Sequence, residues 1–236
     1  MVVFAHRGAS GEAPENTLAA MKKAMEAGVK AVEFDVQLSR DNKLVVIHDY
    51  RVDRTTDGKG YVMRKTLEEL RQLDAGSWFG EEYAGERIPT LEEVVELLPE
   101  GTLLNIEIKS FMLDKRDIAG MVVETVERYG IVERVIISSF DHKLLKGIRK
   151  RSRDMKIGLL FYGKLLGIDE YRGFKELDPW SIHPSQDYLD EDYLKHLKGT
   201  GCRIYSYTVN SRERFEELKN LGLDGIFSDY PEIGER

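Results

Sequence analysis

Nine short apolar runs alternate with amphipathic stretches along this chain, and that alternation limits the folds open to it. The runs are Val2–Gly8, Ala31–Leu38, Leu44–His48, Leu103–Lys109, Arg134–Phe140, Lys156–Phe161, Trp180–Pro184, Arg203–Val209 and Gly225–Asp229. Between them, Glu15–Gly28 carries Leu18, Met21, Ala24 and Met25 on one helical face, with Gly28 as a stop. Thr90–Leu98 opens on the capping-box pattern Thr90-Leu91-Glu92-Glu93. Helical patterns follow over Asp117–Gly130, Asp141–Arg151, Leu189–Lys198 and Ser211–Gly222. Strand and helix in alternation predict parallel β/α units, but nine strands are one too many for an α/β chain folded as a (β/α)8 TIM barrel.

The link Gln37–Lys43 resolves the surplus. It is too short for a parallel crossover, which needs about a dozen residues, and it holds a turn signal in Asp41-Asn42. Leu44–His48 is therefore expected to return antiparallel to Ala31–Leu38. A turn centred on Asp41-Asn42 sets Leu38 opposite Val45 and Asp35 opposite His48. Eight strands remain for the barrel, predicted as one domain over residues 1–236. Residues 49–87, rich in Gly, Asp, Thr and aromatics, form an insertion after the second barrel strand that covers one side of the mouth.

Bulk composition narrows the partners. The 236 residues are 42% hydrophobic and 33% charged, with net charge −7. That balance argues against a general nucleic-acid or anionic-membrane surface. A small anionic substrate stays open, because a local metal or arginine outweighs a distant negative surface. The one cysteine, Cys202, reads as a small strand residue. The chain opens directly into a strand, and no run approaches the roughly 18 apolar residues of a membrane span. The expectation is a cytoplasmic protein without stable membrane insertion. Its oligomeric state is left open, a homo-oligomer included.

Reactive side chains sit at the C-terminal ends of several runs. Val2–Gly8 breaks into His6, Arg7 and Gly8; Ala31–Leu38 carries Glu33 and Asp35; Leu103–Lys109 carries Glu107 and Lys109. Burying such groups for structure alone is too costly to be the default. Glu33 and Asp35 lie two apart on a strand, so both point to one face, the barrel interior. Two carboxylates there repel unless a cation joins them, and Glu107 from the next parallel strand is the natural third ligand. Three carboxylates suit one hard divalent cation, Mg²⁺ or Ca²⁺. The competing reading, a structural network with Arg7 and Lys109, weakens as three acids, two bases and two histidines converge. His6 and His48 reach the mouth by independent arguments and can supply one base and one acid. His183 ends a strand, where lining the pocket and a structural role weigh equally. His142 and His196 lie in helical segments and are assigned no role. Together the groups suit phosphoryl chemistry on an anionic ester. Gly58-Lys59-Gly60 is too weak a signal for nucleotide binding.

The ordered motifs carry a resemblance. They are His6-Arg7-Gly8 with Pro14-Glu15-Asn16-Thr17, Glu33-Phe34-Asp35-Val36, Val46-Ile47-His48-Asp49, Asp53-Arg54-Thr55-Thr56-Asp57-Gly58, Ile88-Pro89-Thr90-Leu91, Glu107-Ile108-Lys109, Thr208-Val209-Asn210 and Asp224-Gly225-Ile226-Phe227-Ser228-Asp229. Over nearly its whole length the chain resembles the glycerophosphodiester phosphodiesterases. The resemblance implies a (β/α)8 barrel with an insertion after the second strand. It implies a divalent ion on Glu33, Asp35 and Glu107, His6 and His48 as the acid–base pair, and Arg7 and Lys109 near the phosphate. Many relatives carry Trp where this chain has Tyr207, a pocket wall that bears on the alcohol part of the substrate. The expected reaction is hydrolysis of a glycerophosphodiester, such as glycerophosphocholine or glycerophosphoethanolamine, to glycerol 3-phosphate and a free alcohol. The expected roles are His6 as base and His48 as acid. The attacking oxygen is either water or the glycerol 2-hydroxyl. One alternative is lysophospholipase D-type cleavage, drawing on a greasy surface from Tyr61, Val62, Met63, Trp78, Phe79 and Tyr83. The simpler expectation for those residues is a small core within the insertion. A non-catalytic phosphodiester-binding barrel is the remote alternative.

Overall fold

The structure, a computed structural model, describes residues 1–168 and 170–234. Its strands are β1 (Val2–His6), β2 (Ala31–Leu38), β3 (Leu44–Val46), β4 (Leu103–Ile108), β5 (Val135–Ser139), β6 (Lys156–Phe161), β7 (Ser181–Pro184), β8 (Arg203–Ser206) and β9 (Gly225–Ser228). Eight of them run parallel, in the order β1-β9-β8-β7-β6-β5-β4-β2, and a further β1–β2 pairing closes the ring. This is the (β/α)8 TIM barrel expected from the alternation. β3 is the surplus strand and pairs antiparallel with β2, as the short link requires.

The hairpin register differs from the expected one by a single residue. Leu38 faces Leu44 and Gln37 faces Val45, which brings Ile47, not His48, opposite Asp35. The cause is the loop. Ser39 N–H donates to Lys43 O, Lys43 N–H donates to Ser39 Oγ, and Ser39 Oγ donates to Asp41, while Asn42 takes a left-handed φ of 59°. The link is thus a three-residue loop centred on Asp41, with Asn42 supplying the left-handed position.

Helices α1 (Leu18–Glu26), α2 (Leu67–Arg71), α3 (Leu91–Leu97), α4 (Ile118–Arg128), α5 (His142–Arg151), α6 (Arg172–Leu177), α7 (Glu191–Lys198) and α8 (Arg212–Asn220) surround the barrel or lie in its connections. Side-chain caps set several starts. Thr17 accepts from Ala20 N–H, Asp190 from Tyr193 N–H, and Thr90 and Glu93 form the predicted reciprocal box. Thr66 and Glu69 make a second box on α2, which the apolar pattern did not reveal. Outside the strands, Val32, Phe34, Leu104, Ile106, Ile137 and Ile157 pack against α1, α3, α4 and α5 in one continuous core. Inside, Phe4, Ala31, Ile136, Tyr205 and Phe227 fill the barrel.

Between β3 and α3 the chain leaves the barrel. Val52, Val62, Leu70, Ala75 and Ile88 pack on Val45 and Ile47 in a separate aliphatic core. Of the residues expected to form that core, only Val62 is in it. Tyr61 stacks instead on Phe111 at 5.7 Å. Trp78, Phe79 and Tyr83 form a chain of edge contacts, with Tyr83 Oη donating to Glu12 O. Cys202 is half-buried just ahead of β8, its thiol on Pro179 O. No helix among the described residues is long and apolar enough to cross a membrane.

Candidate active site

The turn after β1 sets the geometry. Arg7 has φ 57° and Gly8 φ 80°, and a Cβ on Gly8 would lie 2.6 Å from the Ala20 carbonyl carbon, so only glycine fits. This curl aims the Arg7 N–H at Glu33 Oε2, 2.9 Å away. Asn16, also left-handed at φ 59°, clasps the same turn. Its N–H donates to Arg7 O, its Nδ2 donates to Asp35 Oδ2 at 2.8 Å, and its Oδ1 accepts from Asp35 N–H. Asn16 is a site residue that the sequence reading quoted only within a motif.

Glu33 and Asp35 project from β2 into the barrel mouth, and the register pairs Asp35 with Glu107 on β4. All three are buried, and each offers an oxygen within 4.8 Å of the others. Lys109 Nζ lies 2.9 Å from Asp35 and also bonds Glu107; Arg7 Nε lies 3.4 Å from Asp35. Burial, then the charges of Asp35 and Glu107, push the Glu33 carboxyl well above its usual range. Burial also raises Glu107, although Lys109 pulls against it. Asp35 goes the other way: burial opposes it, but Lys109, Arg7 and His48 hold its carboxyl well below normal. Glu33 Oε1 is buried with no hydrogen-bond partner among the described residues. An orphaned carboxylate oxygen within an all-oxygen triad fits a small hard divalent cation.

Each of two imidazoles leans on a carboxylate. His6 Nδ1 lies 2.6 Å from Asp229 Oδ1, and Asp229 also accepts from Ser10 Oγ and Asn210 Nδ2. Burial works to raise Asp229, but the bonds from His6, Asn210 and Ser10 outweigh it and hold the carboxyl at about 2. His48 Nδ1 lies 2.7 Å from Asp49 Oδ1. Hydrogen bonds from Arg54, against burial and aided by His48, hold Asp49 at about 2. Burial lowers His48 itself. With Nδ1 engaged, Nε2 is the nitrogen each ring has left for chemistry. Gln37 places His48 by donating from one Nε2 to the carbonyls of Ile47, His48 and Asp49.

His6, Arg7, Glu33, His48, Glu107, Lys109 and Tyr207 line one cavity of about 260 Å³ with Asn105, Phe140, Leu160, Thr208 and Phe227. Asp35 is not in the lining and meets it through Lys109 and Arg7. Tyr207 forms a wall, its hydroxyl donating to Phe161 O. His183 is not brought to this cavity. It is fully buried in the barrel interior, against the rings of Tyr205 and Phe227, with Nε2 on Ser181 Oγ. Gly158 makes room for it: a Cβ there would lie 2.5 Å from His183 Cε1. Burial drives the His183 pKa down to about 3, so the ring is a neutral filler. His142, half-buried against Leu160 O, and His196, beside Tyr193, lie outside the cavity lining.

A family model described as the glycerophosphoryl diester phosphodiesterase family matches residues 6–233. The chain belongs to that family. A glycerophosphodiester phosphodiesterase of Caldanaerobacter subterraneus subsp. tengcongensis is 44% identical over 98% of this chain and 95% of its own length. A solved Oleispira antarctica phosphodiesterase, in complex with the product sn-glycerol-3-phosphate, is 35% identical at TM-score 0.90. The alignment covers 100% of this chain and 96% of that one. A solved glycerophosphodiester phosphodiesterase of Agrobacterium tumefaciens is 26% identical at TM-score 0.83, covering 99% of this chain and 98% of that one. The chain is thus an enzyme of the phosphodiesterase class, and the (β/α)8 barrel is the fold it shares with these relatives.

Proposed function

We propose that this enzyme hydrolyses glycerophosphodiesters to glycerol 3-phosphate and a free alcohol, with His6 and His48 as its acid–base pair. The observation that carries the reading is one cavity lined by two carboxylate-held imidazoles, two acids of the triad and two cationic side chains. The product complex of the Oleispira relative supports the substrate class. A divalent cation, Mg²⁺ or Ca²⁺, held by Glu33, Asp35 and Glu107 would supply Lewis-acid stabilisation of charge on the phosphoryl oxygens.

The protein's own groups do the rest. Arg7 and Lys109 attract and orient the anionic diester. His6 Nε2 takes the proton of the attacking oxygen, while Asp229 fixes the ring and stabilises the charge it gains. His48 Nε2 returns a proton to the leaving alkoxide, with Asp49 in the matching role. Burial favours neutral His48 at rest, and an arriving anionic diester shifts it back towards the protonated form the acid role needs. Phe140, Phe227 and Tyr207 wall the site and limit water.

Product analysis on a panel of glycerophosphodiesters, with EDTA or with added Mg²⁺ or Ca²⁺, tests the reading. Glycerol 3-phosphate and the free alcohol are expected, and only with metal. Release of free glycerol with the phosphate left on the alcohol would refute it. An aryl diester, which needs no acid, should restore His48→Ala but not His6→Ala; the reverse would exchange the two roles.

One observation favours a second substrate. Met112 and Leu113 in the loop after β4, and Tyr162 and Leu166 in the loop after β6, are 77%, 67%, 68% and 82% exposed. These loops follow the C-terminal ends of barrel strands, the end that carries the site. They offer an acyl chain a greasy rim. Comparing glycerophosphocholine with a lysophospholipid, in wild type and in Leu113→Ser/Leu166→Ser, decides it. Selective loss of the lipid activity supports this reading; no lipid turnover in wild type ends it.

A further inference from the structure

Asp53-Arg54-Thr55-Thr56-Asp57-Gly58 is a motif that the proposed chemistry leaves without a task. It folds into a tight loop held by bonds that do not involve the Arg54 side chain. Val52 is fully buried and its N–H donates to Gly60 O at 3.0 Å. Thr56 Oγ1 donates to Val52 O and accepts from Gly58 N–H. Asp53 accepts from Gly60 N–H, and Val62 N–H donates to Tyr50 O. This framework sets Arg54 beside the mouth.

The guanidinium then bridges two carboxylates. Nε and Nη2 donate to Asp49 at 2.7 and 3.1 Å; Nη1 and Nη2 donate to Glu15 at 2.7 and 2.8 Å. Asp49 is the carboxylate on His48 Nδ1, and Glu15 is the carboxylate that accepts from Arg7 Nη1 at 2.8 Å. One planar fork therefore ties together the partners of two groups that come from different segments, Arg7 just after β1 and His48 just after β3.

We propose that Arg54 is a positioning residue that holds His48 and Arg7 in register with each other, through Asp49 and Glu15. The inference rests on the reading of His48 and Arg7 given above. Arginine is required because a lysine ammonium lacks the rigid fork that satisfies two carboxylates at once. The Arg54 side chain is nearly half exposed, so solvent screens these ion pairs in part, and the constraint they impose is geometric. The two branches are chemically distinct. Asp49 acts on proton transfer and hence on kcat. Glu15 acts on the phosphate contact and hence on KM.

The test is steady-state kinetics of the full chain with divalent metal on glycerophosphocholine. The variants are Arg54→Lys, Arg54→Met, Asp49→Asn, Glu15→Gln and Arg54→Met in the Asp49→Asn/Glu15→Gln background. Misplacing a reacting group by about 1 Å costs about 10²-fold, so kcat should fall about 10- to 100-fold in both Arg54 variants, with KM raised as well. Asp49→Asn should reproduce mainly the kcat part and Glu15→Gln mainly the KM part. In the double background, Arg54→Met should cost less than about twofold, because both intermediaries are already gone. Arg54→Lys decides the matter if Arg54→Met does not fold. Both parameters within about twofold of wild type in Arg54→Lys, or an undiminished Arg54→Met cost in the double background, would overturn the inference. A wild type inactive on every diester would instead overturn the functional reading beneath it.

Discussion

Replacing Glu33 with glutamine tests how the three carboxylates are balanced. Glu33, Asp35 and Glu107 offer oxygens within 4.8 Å of one another. At that separation two unit charges repel by about 3.5 kcal/mol at an effective dielectric constant near 20. Arg7 and Lys109 supply two positive charges against three negative ones. One carboxylate is in excess, and burial with repulsion from Asp35 and Glu107 makes it Glu33. A buried carboxyl whose folded value lies well above its ordinary 4.5 loses stability as pH rises past 4.5, by at most about 3.4 kcal/mol at pH 7, at about 1.36 kcal/mol per pH unit. Glu33→Gln removes that cost, keeps the shape and still accepts the Arg7 N–H. In EDTA the variant should be more stable by about 1–3 kcal/mol, a rise in Tm of about 2–10 °C for a chain of this size. The sign with pH follows from a folded value above the unfolded one. The stability that protonated Glu33 retains is complete below 4.5 and drains away as pH rises towards the folded value, so the gap to the variant widens from pH 4.5 to 7. A divalent cation reverses the order. Wild type should gain about 2.7 kcal/mol at a hundredfold excess over Kd, whereas the variant gains little. Thermal melts in EDTA and in Mg²⁺ or Ca²⁺, at pH 5 and 7.5, measure all of this. A variant less stable than wild type in EDTA at pH 7.5, or one with the same metal-induced shift, refutes the charge count.

His6→Ala and His48→Ala should each lower kcat on glycerophosphocholine by about 10²–10⁴-fold with the circular-dichroism spectrum unchanged. Asp229→Asn should lower kcat by about 10²-fold or more by releasing the His6 ring. Because the folded Asp229 value, about 2, lies below its ordinary 3.8, the carboxylate contributes about 2 kcal/mol above pH 3.8 that is lost as pH falls through 2. Denaturant melts should therefore show the variant's deficit at pH 7 and its disappearance near pH 2. Gly158→Ala should cost about 1–3 kcal/mol by forcing a methyl against His183, while kcat of the folded fraction stays within about twofold of wild type.

The barrel and the reactive strand ends were legible because each rests on a local rule. Two-residue spacing puts Glu33 and Asp35 on one face whatever surrounds them, and a seven-residue link cannot carry a parallel crossover. What held the imidazoles was less legible. Asp229 lies 223 positions from His6 and meets it only because β9 closes the ring against β1. Asp49 is adjacent to His48, and adjacent strand residues point to opposite faces, so strand logic hides that pair. It forms because the ladder ends at Val46, before either residue. α6 has no side-chain cap to announce it and stops at Asp178 in a left-handed conformation.

The one-residue slip in the hairpin shows how a wrong register still delivered a correct location. On a regular strand the slip would have turned His48 to the opposite face. The alternation rule stops applying after Val46, and Gln37 takes over, holding the carbonyls of residues 47–49 in one grip. The position of His48 is thus set by a side chain of β2, the same strand that carries Glu33 and Asp35. Any shift of β2 relative to the barrel moves Glu33, Asp35 and this imidazole together, so the distances among these three survive motions that would scatter a site built from independent loops.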